Sequence, residues 1–436
     1  MTKTRYAIVG TGSRHAMFLR AIAVDYAETA EVCGLCDINP HRVEVAREYL
    51  TKLGHASVPT FGADAFDRMI EETKPHQVIV TTVDRTHHRY IIRAMELGCD
   101  VICEKPMTTD AEKCREVLAA IDRTGQELRV TFNYRYSPRN SRVKALLAEG
   151  VIGNIKSVHF EWLLDTRHGA DYFRRWHRDK RNSGGLMVHK ATHHFDLVNW
   201  WLDSRPKRVF AMGDLVFYGR ENAESRGITE FYDRGTGDPA AAKDPFALDL
   251  GSDKLLKRLY LDAEAHDGYR RDQSVFGDGI SIEDDMAVMV AYENAATMSY
   301  HLTAYSPWEG YRVAFNGDAG RLEYEVHESS YISGAEDDAN YAGGSRTEIH
   351  EPARIIIRPH WRRPEIIDLE EESETGHGGG DARLLQDIFA PGEPDPLGRA
   401  ANHIDGAASI LTGIAANESM RTGLPVDVAS LVRLPD

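Results

Sequence analysis

Over the first 130 residues, short apolar runs alternate with longer amphipathic stretches. Runs at 6–9, 32–36, 78–82, 101–103 and 128–132 read as strands, and the stretches 14–24, 40–53, 63–73, 86–97 and 111–124 between them read as helices. Strand–helix alternation of this kind predicts a parallel, doubly wound sheet with helices on both faces. Ligands then bind at the carboxyl ends of the strands, where the strand order reverses.

Past residue 134 the pattern changes. Runs at 286–292 and 296–304 form a hairpin around Glu293-Asn294-Ala295, and runs at 311–316 and 321–326 form another across Gly317–Gly320, with a further strand at 354–358. A largely antiparallel sheet follows, with one face free to cover a ligand. The segment 220–279 is polar and rich in Gly and Asp, and reads as an insertion over the pocket or an oligomer contact. Helical stretches at 381–389 and 402–420 close the chain. The expectation is an α/β domain over 1–132 followed by an α+β domain over 133–436 with a large, open-faced, mostly antiparallel sheet.

A chain of 436 residues is long for one core, which agrees with two domains. Its net charge of −16 argues against nucleic acid or a polyanionic surface as partner. No apolar run approaches the ~20 residues of a membrane span, and the first strand starts too close to Met1 to leave room for a signal peptide. The five cysteines suggest reduced thiols in the cytoplasm. Cys33 and Cys36 could form a redox pair or half a metal site, but they sit in an apolar strand with no second pair, which favours a core role.

The first strand runs into Gly10-Thr11-Gly12-Ser13-Arg14-His15. Gly10 permits a tight turn and Gly12 lets backbone N–H groups approach a pyrophosphate, while His15 stands where a third glycine is usual. Asp37 ends the second strand, 25 residues past Gly12. A carboxylate there accepts ribose hydroxyls and repels a 2′-phosphate, so NAD is favoured over NADP, with Arg42 as a softening influence. The plainer alternative makes Asp37 a turn residue ahead of Asn39-Pro40.

Cys103-Glu104-Lys105-Pro106 follows the fourth apolar run. With the glycine turn upstream, it resembles the family of glucose–fructose oxidoreductase, inositol dehydrogenase and MocA-type proteins. The resemblance spans essentially the whole chain and is strongest over residues 5–200. It implies further cofactor contacts from Thr82, Asp84 and His87, where the family usually reads Thr-Pro-Asn-x-x-His, and from Glu104, Lys105, Asn133 and Arg135. The segment Gly184-Gly185-Leu186-Met187-Val188-His189-Lys190-Ala191-Thr192-His193-His194-Phe195-Asp196 corresponds to the family's Gly-Gly-x-x-x-Asp-x-Gly-x-His-x-x-Asp. On that pattern His193 takes the catalytic position, and His189 replaces an aspartate. The i, i+4, i+7 spacing puts His189, His193 and Asp196 on one face of a helix, with Lys190 and His194 on the neighbouring stripe.

Withdrawing hydride from a carbinol requires its hydroxyl proton to leave nearly together with it, a task for an imidazole with a pKa near the working pH. A lysine ammonium beside the developing alkoxide stabilises it. His193 is therefore expected as general acid/base and Lys105 as electrostatic stabiliser or relay, with His189 and Tyr134 as further candidates. A zinc site built on His189, His193 and His194 is the competing thought, but the hydrolase glutamate is missing. Three histidines satisfied within a core helix are the structural alternative.

Arg167, His168, Arg174, Arg175, His177, Arg178 and Lys190 concentrate positive charge in an acidic chain. Charge-assisted bonds from such groups contribute roughly 1.5–3 kcal/mol each, and arginine suits planar or tetrahedral oxyanions. With the aspartate replaced by His189, this points to an anionic sugar such as a sulfonate, uronate or phosphate, bound by Arg167, His168, Arg174, Trp176, Lys190 and His194. Pairing of Arg174–Arg178 with acidic helices or the cofactor pyrophosphate is the alternative. The resemblance implies NAD-dependent attack on a sugar hydroxyl, with three outcomes. One is a redox-neutral glycosidase like the family's sulfoquinovosidase branch, which is favoured; the others are a net sugar or inositol dehydrogenase and a non-catalytic NAD-bound regulator. By fold analogy a homodimer or homotetramer is expected.

Overall fold

The computed structural model describes residues 3–329, 331–332, 353–369, 378–390, 392 and 394–435. Its first sheet contains β1 (Thr4–Val9), β2 (Ala30–Asp37), β3 (Thr60–Gly62), β4 (Gln77–Val80), β5 (Asp100–Cys103) and β6 (Leu128–Val130), in the spatial order β3-β2-β1-β4-β5-β6 and parallel throughout. The order reverses between β1 and β4, so a crevice opens at their carboxyl ends. The edge strand β3 is three residues long, too short a run to stand out in the sequence.

The helices α1 (His15–Arg20), α2 (Pro40–Lys52), α3 (Phe66–Thr73), α4 (His87–Glu96) and α5 (Ala111–Thr124) connect these strands. Side-chain caps fix the starts of α2 and α5. Asn39 caps α2 by accepting from the amides of His41 and Arg42, with Pro40 at its first position. Asp110 caps α5 from Lys113 N, and Gly125 ends it in the left-handed region. The helix expected over 14–24 is shorter: α1 gives way to a wider turn at Ala21–Asp25, closed by Tyr26 N on Ala21 O at 2.8 Å. Cys33 and Cys36 are free thiols bonded to the carbonyls of Tyr6 and Gly62.

The second sheet has nine strands: β7 (Ile155–Asp165), β8 (Pro206–Asp214), β9 (Asp285–Tyr292), β10 (Thr297–Ser306), β11 (Glu309–Gly317), β12 (Gly320–Ser329), β13 (Arg354–Pro359), β14 (Glu365–Asp368) and β15 (Val426–Asp427). Only β7 and β10 run parallel. Both expected hairpins form, β9–β10 and β11–β12. One face of the sheet, including Phe160, Trp162, Tyr300 and Tyr311, is buried. The other leaves Met212 and Met289 exposed among charged residues. The open face carries a hollow of 620 Å³, lined by residues such as Met212, Met289 and Ile356.

Between the sheets run α6 (Pro138–Ala148), α7 (Thr166–Arg174), α8 (Lys180–Ser183), α9 (Leu186–His189) and α10 (Thr192–Leu202), with the long helix His403–Thr422 packed on α10 and β8. At the seam of the two halves the Arg135 guanidinium grips Asp196 of α10 with two bonds, of 2.8 and 2.6 Å, and reaches Asp405 at 3.2 Å. Arg135 and Asp196 are both buried. No helix among the described residues is long and apolar enough to cross a membrane.

Candidate active site

A cleft of 1570 Å³ lies between the carboxyl ends of β1, β4 and β5 and the helices of the second half. That exceeds the roughly 300–1,000 Å³ of an ordinary small-molecule pocket, so it has room for a cofactor and a substrate together.

At one end the glycine turn sets the geometry. Gly10 has φ +93°, and a Cβ there would lie 2.6 Å from the Thr81 and Thr82 backbone, so no side chain fits. A Cβ on Gly12 would meet only Tyr260 Oη, at 3.7 Å, and would fill space next to the main-chain N–H groups. Asp37 Oδ2 accepts from Thr11 N at 2.5 Å and Thr11 Oγ1 at 3.0 Å, while Oδ1 accepts from Asn39 N at 2.7 Å. The carboxylate thus ties the first and second strand-end turns together and still lines the cleft. Arg42 pairs with Asp267 and stands 3.6 Å from Asp37. A turn without Cβ atoms at Gly10 and Gly12, facing a fixed carboxylate, suits a dinucleotide, whose pyrophosphate would meet the turn and whose ribose would meet Asp37.

Further along, Arg14 bonds Glu104 at 2.7 Å and Asp381 at 3.3 Å, and Asn133 Nδ2 donates to Asp381 at 2.6 Å. Asp381 was absent from the sequence-based set, because it opens a helix 248 residues beyond Asn133. Thr82 accepts from Thr86 Oγ1 at 2.9 Å. His87 faces the carbonyls of Pro106 and Thr82, at 2.8 and 3.0 Å, and so braces the turn after β4 against the turn carrying Lys105.

Lys105 enters the cleft beyond Glu104, its Nζ donating to His189 O at 3.0 Å. That carbonyl is available because the expected continuous helix over 189–196 breaks. Lys190 N and Ala191 N both bond Leu186 O, and His193 N turns to Lys190 O at 3.3 Å, so α9 ends at His189 and α10 starts afresh. The break also spreads the side chains that one helix face would have aligned. His189 Nδ1 meets Asp84 Oδ2 at 2.5 Å, Lys190 Nζ lies 4.8 Å over the Trp162 ring, and Asp196 points back to Arg135. His193 lines the cleft with its ring edge-on to Tyr134 at 4.7 Å.

Burial dominates the electrostatics here. It draws the Lys105 ammonium down to about 8, with Asp84 opposing and Lys190 assisting. Burial pushes the Asp84 carboxyl up, against the pull of Lys105, and drives the His189 imidazole well below its usual range. Both directions disfavour the charged form of this buried, hydrogen-bonded pair. Lys190 is lowered by burial, with Glu309 opposing.

A second carboxylate-held imidazole faces the same space. Glu309 Oε1 lies 2.8 Å from His168 Nδ1, and the other ring nitrogen meets Tyr172 Oη at 3.0 Å. Glu309 comes from β11, 141 residues away, with no local signal to mark it. Trp176 lines the cleft and stacks on His177 at 3.6 Å.

Several expected contact residues lie elsewhere. His15 turns inward to Gly12 O, and Arg135 is spent on Asp196 and Asp405. Arg174 is buried behind the wall, donating to Phe246 O at 2.6 Å and Arg167 O at 3.3 Å. His194 stacks on Trp162 at 4.0 Å and bonds Tyr300 Oη, inside the core. Tyr134 and Arg167 do not line the cleft, where Tyr134 instead backs the His193 ring. Among the described residues no group of three or more His, Cys, Asp or Glu is placed to hold a metal ion.

The oxidoreductase-family NAD-binding Rossmann model matches residues 4–132, and the family's C-terminal alpha/beta model matches 144–428. The chain belongs to the Gfo/Idh/MocA family. As a member of that family it is an oxidoreductase with an NAD-binding Rossmann domain, and NAD is its cofactor. "Putative oxidoreductase YteT" of Bacillus subtilis (strain 168) is 36% identical, with 98% of each chain covered. "Glycosyl hydrolase family 109 protein 1" of Akkermansia muciniphila is 26% identical over 43% of this chain and 41% of its own length. Among solved structures, the aldose-aldose oxidoreductase from Caulobacter crescentus has a TM-score of 0.62 at 17% identity, over 98% of this chain and all of the other, a likeness of fold.

Proposed function

We propose that this Gfo/Idh/MocA protein oxidises a pyranoside hydroxyl at carbon 3 transiently and cleaves the glycoside in a redox-neutral cycle of oxidation, elimination, hydration and reduction. Bound NAD supplies the reversible hydride acceptor. His193 takes the hydroxyl proton as hydride departs, and the Lys105 ammonium stabilises the developing oxyanion. A carbonyl at carbon 3 acidifies the hydrogen on carbon 2. The His189 imidazole, paired with Asp84, takes it as a proton and returns a proton to the aglycone oxygen as the bond to carbon 1 breaks, and water adds in the reverse sense.

The observation that carries this reading is the pair of carboxylate-held imidazoles, Asp84–His189 and Glu309–His168, in addition to His193 in one cleft. Simple hydride transfer needs one acid/base group; elimination and hydration need a second. The likeness to the Akkermansia glycosyl hydrolase gives support over part of the chain. Lys190 and His168 in the cleft favour an anionic sugar such as sulfoquinovose, though the burial of Arg174 and His194 narrows that cationic set. Trp176 offers a face for the pyranose ring. The exposed methionines of the open sheet face favour a homodimer or homotetramer.

A nitrophenyl glycoside of sulfoquinovose, incubated with catalytic NAD, tests the reading. Aglycone release without net NADH is expected. Steady NADH accumulation without aglycone would overturn it in favour of a sugar or inositol dehydrogenase, the reading that the same His193 and Lys105 support if the second imidazoles are only structural.

A further inference from the structure

Residues 220–279 leave the second half of the molecule and come down on the first. Asn39 Nδ2 donates to Ala263 O at 3.0 Å, a His41 ring nitrogen bonds Arg258 O at 3.0 Å, and Arg42 pairs with Asp267. At the glycine turn Tyr260 Oη accepts from Ser13 N at 3.1 Å and bonds Ser13 Oγ at 2.6 Å. The insertion thus reaches both strand-end turns that would carry the dinucleotide.

Charge around Tyr260 does not balance. Arg175 Nη1 binds Asp171 at 2.7 Å, Arg271 Nη2 approaches the same carboxylate at 3.5 Å and Arg174 Nη2 at 3.9 Å. One carboxylate faces three guanidiniums. Arg271 also covers the Tyr260 ring, with Cζ 4.8 Å from its centroid. Buried polar atoms remain without a partner among the described residues: Arg271 Nε and Nη1, Arg175 Nε and Tyr269 Oη. Arg175, Tyr260 and Tyr269 line the cleft opposite Gly12. Buried donors and uncompensated positive charge are costly unless an anion meets them, and the facing glycine turn, whose Ser13 N is held here by Tyr260 Oη, borders the same space.

We propose that Arg175, Tyr260 and Tyr269, backed by Arg271, form the second half of a diphosphate-binding site, so that the insertion encloses the dinucleotide and keeps it as a resident group. This rests on the NAD-binding fold and not on the identity of the sugar. It deepens the redox-neutral reading, because a cofactor that returns its hydride has no need to exchange.

The full-length protein loaded with NADH, chased with excess NAD and followed by nicotinamide fluorescence, gives the dissociation rate with no sugar present. Equilibrium dialysis with ADP and with adenosine separates the diphosphate from the nucleoside. Arg175→Met is expected to speed NADH release and weaken ADP by about tenfold or more, the scale of one lost charge-assisted bond, and to leave adenosine within about twofold. Arg175→Lys should recover part of the loss, and Tyr260→Phe should speed release by a smaller factor. Unchanged release and ADP binding in folded Arg175→Met would overturn the proposal, as would an equal loss of adenosine. So would a change confined to KM for an anionic glycoside, which would assign the arginines to the sugar.

Discussion

The two walls of the cleft are built on different principles. The nucleotide wall consists of turns at the ends of β1, β2, β4 and β5, where backbone conformation sets the surface: Gly10 lies against Thr81 and Thr82, and Asp37 holds the amides of Thr11 and Asn39. The opposite wall is made of side chains, with Lys190, His189, His193, His168 and Tyr172 converging from the helices and their junctions, His168 held by Glu309 of β11. The first wall is expected to fail through chain geometry and the second through chemistry. A change in one should therefore leave the other's readout in place.

The sharpest test of that contrast is His193→Ala, expected to lower kcat by about 10²–10⁴-fold, the usual share of a general acid/base, while NADH still binds by fluorescence titration. Lys105→Met should cost about 10²–10³-fold in kcat, again with the folded state and cofactor affinity nearly unchanged. In the backbone of the nucleotide wall, which also carries Lys105, Gly10→Ala forces a side chain into φ +93° and against the Thr81 backbone. A loss of about 1–3 kcal/mol in stability is expected, read by urea denaturation, together with weaker NAD binding. Asp84→Asn should reduce kcat by about tenfold, because an amide can neither share nor accept the proton of His189 as a carboxylate does; unchanged kcat would confine Asp84 to the nucleotide wall. The smallest effect is in pH. The Lys105 ammonium is lowered to about 8 and works in its charged form. Turnover should therefore decline as pH rises through about 8, and Lys105→Arg should move that limb upward in a kcat–pH profile.

The same contrast explains what the sequence made legible. Runs such as 6–9 and 101–103 are short and wholly apolar, and their turns follow directly, so the parallel sheet and the position of Lys105 and Gly12 could be read locally. Partners distant in the chain could not. Glu309 and Asp381 find His168 and Asn133 only through long-range packing. The helix expected through His189, His193 and Asp196 failed at one peptide, because Lys190 and Ala191 both bond Leu186 O, and spacing alone carries no mark of that break. The arginine cluster was visible as charge, yet burial turned Arg174 toward carbonyls and left Arg175 in the cleft. The polar segment at 220–279 was legible as an insertion, but its landing on Ser13 depends on a single distant tyrosine.

The clasp of Arg135 on Asp196 and Asp405 constrains how this molecule works. It joins the exit of the Rossmann half to the helix that carries His193, deep in the interior, where losing one member would strand a bare ion. A rotation of one half against the other would have to break this clasp, so the two halves should melt together as one cooperative body.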